Sequence, residues 1–257
     1  MKILLRIAGF FMIVALVGAL ALAGFTFTLL PDLPSAKEIR DVRLQVPLRV
    51  YAANGALLAE FGEQRREPVT IDKVPKTLIH AVLAAEDDSF YSHPGVDFSG
   101  VVRAALENLK SGQVDQGAST ITMQVARNYF LSREKTFTRK IKEALLAFRL
   151  ERMFTKDQIL ELYLNKIFLG HRAYGFGAAA RIYYGKPLDK LTLPEIAVLA
   201  GLPKAPSRDN PITNPDRAMN RRDYVLSRMH KLHYIDDATY NEAIRAPLTA
   251  GPHRITT

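Results

Sequence analysis

Glu86, Asp87 and Asp88 stand together in the stretch Ala84 to Gly95, which reads AAEDDSFYSHPG. A carboxylate can take a proton from a hydroxyl when its pKa is lifted toward neutrality. The local pattern predicts such a lift. Leu78, Ile79, Val82 and Leu83 recur at helical spacing after Pro75, a residue suited to a first helical turn. Pro94-Gly95 is a turn signal that stops the helix. The acidic residues therefore fall where a buried helix runs out. There the negative end of the helix dipole and the apolar surroundings both raise a carboxylate pKa. His93 can reach back across the turn to hold a carboxylate in place. Acidic residues at a helix end are more often plain solvated surface, so this stretch needs support from elsewhere.

Two later stretches supply it. GASTITMQ, Gly117 to Gln124, sets small polar residues at a helix start after a glycine. Free backbone N–H groups and the dipole there attract anions, phosphates included. Ser119 and Thr120 add hydroxyl donors, although simple helix capping by either would account for them too. RKIKE, Arg139 to Glu143, sets Arg139, Lys140 and Lys142 around Glu143 on one helix. Arg139 and Glu143 are four apart and could be an ordinary surface pair. The chemical alternative is a basic cradle for a diphosphate, with Glu143 orienting a lysine or binding a divalent ion. Arg127, Arg133 and Lys135 extend the basic field.

The elements that must position these groups are mostly helical. Of the 257 residues, 35 are Lys or Arg and 26 Asp or Glu, a net charge of +9 that implies an anionic partner. There is no cysteine, which excludes disulfides and thiolate metal sites. From Ile7 to Leu30 no residue is charged. As a helix that run spans about 36 Å, enough for a bilayer core of about 30 Å. Lys2 and Arg6 precede it, so an uncleaved anchor with a cytoplasmic start over residues 1–31 is expected, with the rest outside. Ala19-Leu20-Ala21 could serve a signal peptidase, but the apolar run continues past it. Residues 32–74 read as a linker and a β-hairpin, with Leu48–Tyr51 and Leu57–Phe61 flanking Asn54-Gly55. Helices are expected from Pro75 onward: Val101 to Lys110, one opened by Gly117-Ala118-Ser119-Thr120, and Phe137 to Phe154. Others follow capping boxes at Thr155/Gln158 and Thr192/Glu195, and the last two start at Asn214-Pro215 and Asp236.

In this order and spacing the motifs resemble the peptidoglycan glycosyltransferases. That family comprises monofunctional enzymes and the N-terminal domain of class A penicillin-binding proteins. The resemblance runs from about Leu48 to His233. It rests on E-D-x-x-F-x-x-H-x-G at Glu86 to Gly95, G-x-S-T-I-T at Gly117 to Thr122 and R-K-x-x-E at Arg139 to Glu143. ILELYLN at Ile159 to Asn165 and LAGLPKAPS at Leu199 to Ser207 complete it. One departure is visible: Met123 stands where the family usually has the first of two glutamines, while Gln124 remains.

The resemblance implies a mainly α, lysozyme-like glycosyltransferase fold. To this it adds a smaller membrane-proximal lobe, a short β-hairpin and an N-terminal transmembrane helix. The catalytic domain would cover 75–246, with 247–257 a tail or the start of a linker to a further domain. It implies lipid II as substrate and a growing glycan chain as product, made at the outer face of the bacterial inner membrane during cell-wall synthesis. Glu86 and Glu143 match the family's two catalytic glutamates. Asp87, Phe90, His93, Ser119, Thr120, Gln124, Arg127, Arg139, Lys140 and Lys142 match or neighbour substrate-binding positions. Arg139 and Lys142 would stabilise the departing diphosphate. A divalent cation, Mg or Mn, is allowed there, no organic cofactor is implied, and moenomycin-type inhibitors occupy the same groove. Other cell-wall synthesis proteins are allowed as partners.

Rival readings remain open. A lytic glycosidase also needs one glutamate, but has no use for RKIKE or a lipid anchor. A scaffold with a dead site would bind lipid II without turnover. A nucleic-acid module is disfavoured, because the basic residues are not interleaved with stacking aromatics. Ser132 to Lys135 matches S-x-x-K, but no K-T-G follows, so no transpeptidase site is expected in this chain. Gly175-Phe176-Gly177 lacks the strand and third glycine of a nucleotide site. The histidines lack HExxH spacing, so no structural zinc is expected. The chain is expected to be either monofunctional or, by its hairpin and basic helix, the front of a longer two-domain enzyme.

Overall fold

The computed structural model describes residues 2–40, 48–53, 57–61, 66–103, 119–132 and 136–253. Helix α1, Lys2–Leu29, is continuous, and a 3-10 turn, Leu30–Asp32, and a short helix α2, Ala36–Arg40, follow it. Among the described residues no helix is long and apolar enough to cross a membrane. Many side chains of α1 lie outside those residues. Of those described, Phe10, Met12, Ile13, Leu16, Val17, Leu20 and Phe27 stand exposed. Strands β1, Leu48–Tyr51, and β2, Leu57–Phe61, pair antiparallel with Leu48 opposite Phe61 and an irregular register at Val50/Tyr51. The Asn54-Gly55 turn, the helix expected up to Lys110 beyond Arg103, Gly117-Ala118, and Arg133 with Lys135 lie outside the described residues.

Among the described residues, eight further helices of nine residues or more carry the body. They are α3 (Lys76–Glu86), α4 (Ile121–Phe130), α5 (Phe137–Met153), α6 (Lys156–Lys166), α7 (Phe176–Tyr184), α8 (Leu193–Gly201), α9 (Pro215–Lys231) and α10 (Asp237–Arg245). Their starts follow local chemistry. Pro75 precedes α3, whose Leu78, Ala81, Val82, Leu83 and Ala84 are buried. Thr155 with Gln158 and Thr192 with Glu195 form reciprocal capping boxes. Thr136 and Asp236 accept from the backbone N–H three residues on. Each cap satisfies N–H groups that a helix start leaves open.

Two helical groups share one apolar core. In the first, α3 packs with α8 and α9; in the second, α4 packs between α5 and α6. The site forms where the end of α3 meets the start of α4. The segments flanking this body are docked to it. Leu33 and Ile39 join the core. Asn165 on α6 exchanges hydrogen bonds with the backbone of Val69, at 2.8 and 2.7 Å. At the other end, the N–H groups of Gly251 and His253 donate to the carbonyls of Tyr183 and Ile182.

Candidate active site

Glu86 is the last residue of α3. Its side chain is only 10% exposed. The amide of Gln124 on α4 donates to Oε2 at 2.9 Å. From α9, the Arg221 guanidinium approaches Oε1 at 3.6 Å. Burial raises the Glu86 pKa above the ordinary glutamate value, while the Gln124 hydrogen bond and the charges of Arg221, Lys204 and Arg127 pull against it. The net direction is upward, and burial is the main cause.

Asp87 and His93 brace this position. His93 Nε2 lies 3.0 Å from both Asp87 carboxylate oxygens. The N–H of Gly95 donates to His93 Nδ1 at 3.1 Å, so the ring carries its proton on Nε2 and donates it to Asp87. Asp87 Oδ2 also accepts the N–H of Ile121, the first residue of α4, at 2.9 Å. Gly95 takes φ +101°, and a Cβ there would press on the Ala147 carbonyl at 3.0 Å. Only glycine sits comfortably at such a φ so close to a backbone oxygen.

The second cluster assembles around Glu143, which is fully buried. Lys140 Nζ lies 3.1 Å from Oε2. Arg139 Nε lies 3.1 Å from Oε1, ion-pair range but off the line of a hydrogen bond. Two cations on one carboxylate leave one net positive charge. Lys140 also donates to the Ser119 hydroxyl. Ser119 lies just before α4, five residues from Gln124. One helix start thus carries both the partner of Glu86 and the partner of Lys140. Glu143 as placed does not suit a divalent cation. Both its oxygens face cations, and among the described residues no three acidic or histidine side chains gather to hold one.

Several expected site residues have other positions. Lys142 does not face Glu143; its ammonium pairs with Asp32 at 2.8 Å. The reason is helical geometry: Lys142 is about 100° around the axis from Glu143 and about 160° from Lys140. Phe90 is wholly buried in the core and cannot touch a substrate. Its ring lies 4.5 Å from the Lys156 ammonium. Thr120 is buried, its hydroxyl donating to the Gly95 carbonyl at 2.6 Å and accepting from Met123 N–H at 3.1 Å. It caps α4, and its hydroxyl proton is already committed to the Gly95 carbonyl. Met123 is buried with Val96 and Ala147, packed by Ala144 and Phe148, so an apolar side chain suits that position.

Other groups near the site were not singled out from the sequence. Arg221 is held by its Nε donating to the Gly201 carbonyl at 3.1 Å and lies 4.4 Å from the Tyr224 ring centre. Arg228, two turns further on, pairs with Asp88 and donates to the Ala84 carbonyl at the end of α3. Lys204 acts on Glu86 through its charge. Beneath the loop, Lys156 donates to the His93 carbonyl and to Glu151, which accepts from Thr122. The seven-residue spacing of Arg221 and Arg228 was the available signal, since it places both on one face of α9.

The transglycosylase family model matches residues 54–230. Penicillin-binding protein 1A of Pseudomonas aeruginosa is 54% identical over 234 residues, covering 91% of this chain and 28% of that protein. The Escherichia coli protein of the same name is 53% identical over 250 residues, covering 94% and 29%. The Vibrio cholerae one is 49% identical over 253 residues, covering 98% and 31%. The chain thus spans less than a third of the length of these relatives. A crystal structure of penicillin-binding protein 1A from Haemophilus influenzae superposes with a TM-score of 0.49 at 36% identity, covering 83% of this chain and 22% of that one.

Proposed function

This chain belongs to the transglycosylase family, and from that membership we propose that it polymerises lipid II into β-1,4-linked glycan for the bacterial cell wall. The observation that carries the reading is the Glu86 carboxylate, 10% exposed and held at 2.9 Å by Gln124. It sits at one end of the helix start whose other end meets Lys140.

The reaction joins a sugar 4-hydroxyl to an anomeric carbon that carries a lipid diphosphate. The hydroxyl oxygen forms the new C–O bond as the bond to diphosphate breaks. Glu86 takes the hydroxyl proton, and the diphosphate leaves with the bonding electrons. A single displacement inverts the anomeric centre from α to β. Such a reaction needs one base and a cationic clamp rather than the carboxylate pair of a glycosidase. Arg139 and Lys140 supply the clamp, with Ser119 beside them. Glu143 holds the two cations in place before substrate arrives, so little reorganisation is left for the transition state. Asp87 and His93 brace the loop that carries the base, and Arg127 adds positive charge beside it.

The 1–31 segment is read as a membrane anchor with the catalytic body on the periplasmic side. The uncharged run from Ile7 to Leu30 and the exposed apolar side chains of α1 support this. An anchored enzyme meets a lipid-linked substrate in two dimensions, and its basic surface is drawn to anionic headgroups. Incubation with labelled lipid II tests the reading. A polymer ladder that moenomycin suppresses, and that Glu86→Gln fails to make, is the expected result. Sugar release from finished glycan with no use of lipid II would support the lytic alternative and overturn this one.

A further inference from the structure

Lys142 and Arg149 lie seven residues apart on α5, two turns along one face. Both reach the short segment that leaves α1. Lys142 pairs with Asp32 at 2.8 Å, and Arg149 donates to the Pro34 carbonyl at 2.8 Å. The segment is stiff in itself. Its 3-10 turn, Leu30–Asp32, has a proline in its first positions. Ser35 and Glu38 cap α2 reciprocally, through Ser35 N–H to Glu38 at 2.6 Å and Glu38 N–H to Ser35 Oγ at 3.3 Å. Leu33 and Ile39 are buried in the main core on either side. A charge pair and a backbone hydrogen bond therefore tie one short strap to α5, and two apolar plugs seat it in the core. The same helix carries Arg139, Glu143 and Lys140 about 60°, 100° and 160° around its axis from Lys142.

We propose that residues 30–40 are a rigid strap that fixes the diphosphate clamp relative to the N-terminal helix, with Lys142 a positioning residue seated on Asp32. The proposal rests on reading α1 as an anchor and the chain as a lipid II polymerase. A substrate embedded in a bilayer presents its diphosphate at one height. A clamp held at a matching height by the strap meets it without tilting the domain. In detergent the substrate carries its own small apolar shell and the height no longer matters. The strap therefore affects turnover on bilayers and not turnover in detergent. Asp32 is 60% exposed and Lys142 20% exposed, so the pair adjusts the orientation of a segment that Leu33 and Ile39 already hold.

The test compares polymerisation of lipid II in phospholipid vesicles with that in detergent. It uses the full chain, Asp32→Ala, Asp32→Lys, Lys142→Asp and the double variant Asp32→Lys/Lys142→Asp. An exposed ion pair of this kind is worth enough to shift an orientation by about fivefold. The vesicle-to-detergent ratio should fall by about that factor in Asp32→Ala and further in Asp32→Lys. Detergent turnover of both Asp32 variants should match the unaltered chain. The double variant should recover the ratio, because the pair is restored with its signs exchanged. A lysine that binds the diphosphate directly gives another result: the double variant stays as low as Lys142→Asp, and the proposal is overturned. An unchanged ratio in Asp32→Ala, or equal loss in both media, also overturns it. No polymer from the unaltered chain in either medium would instead sink the polymerase reading.

Discussion

The Asp87 carboxylate accepts the N–H of Ile121 at 2.9 Å, which joins the end of α3 to the start of α4. The same carboxylate receives the His93 ring. One side chain therefore ties the helix that carries Glu86 to the helix whose start borders Lys140. Asp87→Ala should cost about 2–4 kcal/mol, because it strips a buried carboxylate from two donors and leaves both unpaired. Asp87→Asn keeps an oxygen for Ile121 and should cost less. Urea unfolding of the two variants checks the order, and equal stability of both with the parent would show that the brace does not hold the site.

Glu86→Gln should lower polymerisation by on the order of 100- to 10,000-fold, the usual scale for losing a positioned base. Fold and Gln124 packing should survive, since the amide has nearly the same shape. Gel assay of the purified variant at saturating lipid II reads the loss directly.

The same substitution has a pH signature in stability. The folded Glu86 pKa is raised above its unfolded value of 4.5, so the native state binds more protons in the window above that value. Stability of the parent therefore falls as pH rises through the raised pKa. Glutamine cannot titrate, so the Tm of Glu86→Gln relative to the parent should climb as pH rises from below 4.5 through the raised pKa, then level. A difference that is flat with pH, or that shrinks, would mean that this carboxylate is not strained by burial.

Arg139→Met and Lys140→Met should both weaken use of limiting lipid II, seen as a lower kcat/KM. Their stabilities should differ. Arg139 is 18% exposed against a fully buried Glu143, so its loss should cost about 3 kcal/mol by leaving a buried charge half-paired. Lys140 is 40% exposed, and solvent screening should hold its contribution to about 1 kcal/mol. Thermal melts and initial rates measured on the same preparations separate the two effects. Unchanged rates in both variants would remove these residues from the clamp.

Met123→Gln restores the residue usual in the family, yet should not help. Met123 is 3% exposed against Val96 and Ala147. An amide buried there without a partner should cost about 1–3 kcal/mol. Turnover should stay within about twofold, because Gln124 rather than its neighbour reaches Glu86. A large gain in rate would show that position 123 faces the substrate.

Much of the site was legible because its signals are local. Leu78, Val82 and Leu83 mark the buried face of α3, and Pro94-Gly95 marks its stop, within one short stretch. The boxes at Thr155/Gln158 and Thr192/Glu195 span three residues each, a range over which a helix start leaves its partners no choice. The burial of Glu86, its raised pKa and the hold of His93 on a carboxylate followed from that pattern. The spacing of Arg139 and Glu143 likewise announced a pair on one face.

Tertiary structure decided what those spacings left open. Phe90 belongs to a signature motif, yet packing sent it into the core rather than to a substrate. Arg221 reaches Glu86 and Arg228 reaches Asp88 from a helix far along the chain, and no local period links those positions. Lys142 looked like a clamp residue until Asp32, 110 residues earlier, proved to be its partner. Backbone hydrogen bonding over a few residues fixes where a helix begins and which face is apolar. Where a long charged side chain finds its counter-charge depends on which distant segment the apolar core draws alongside it.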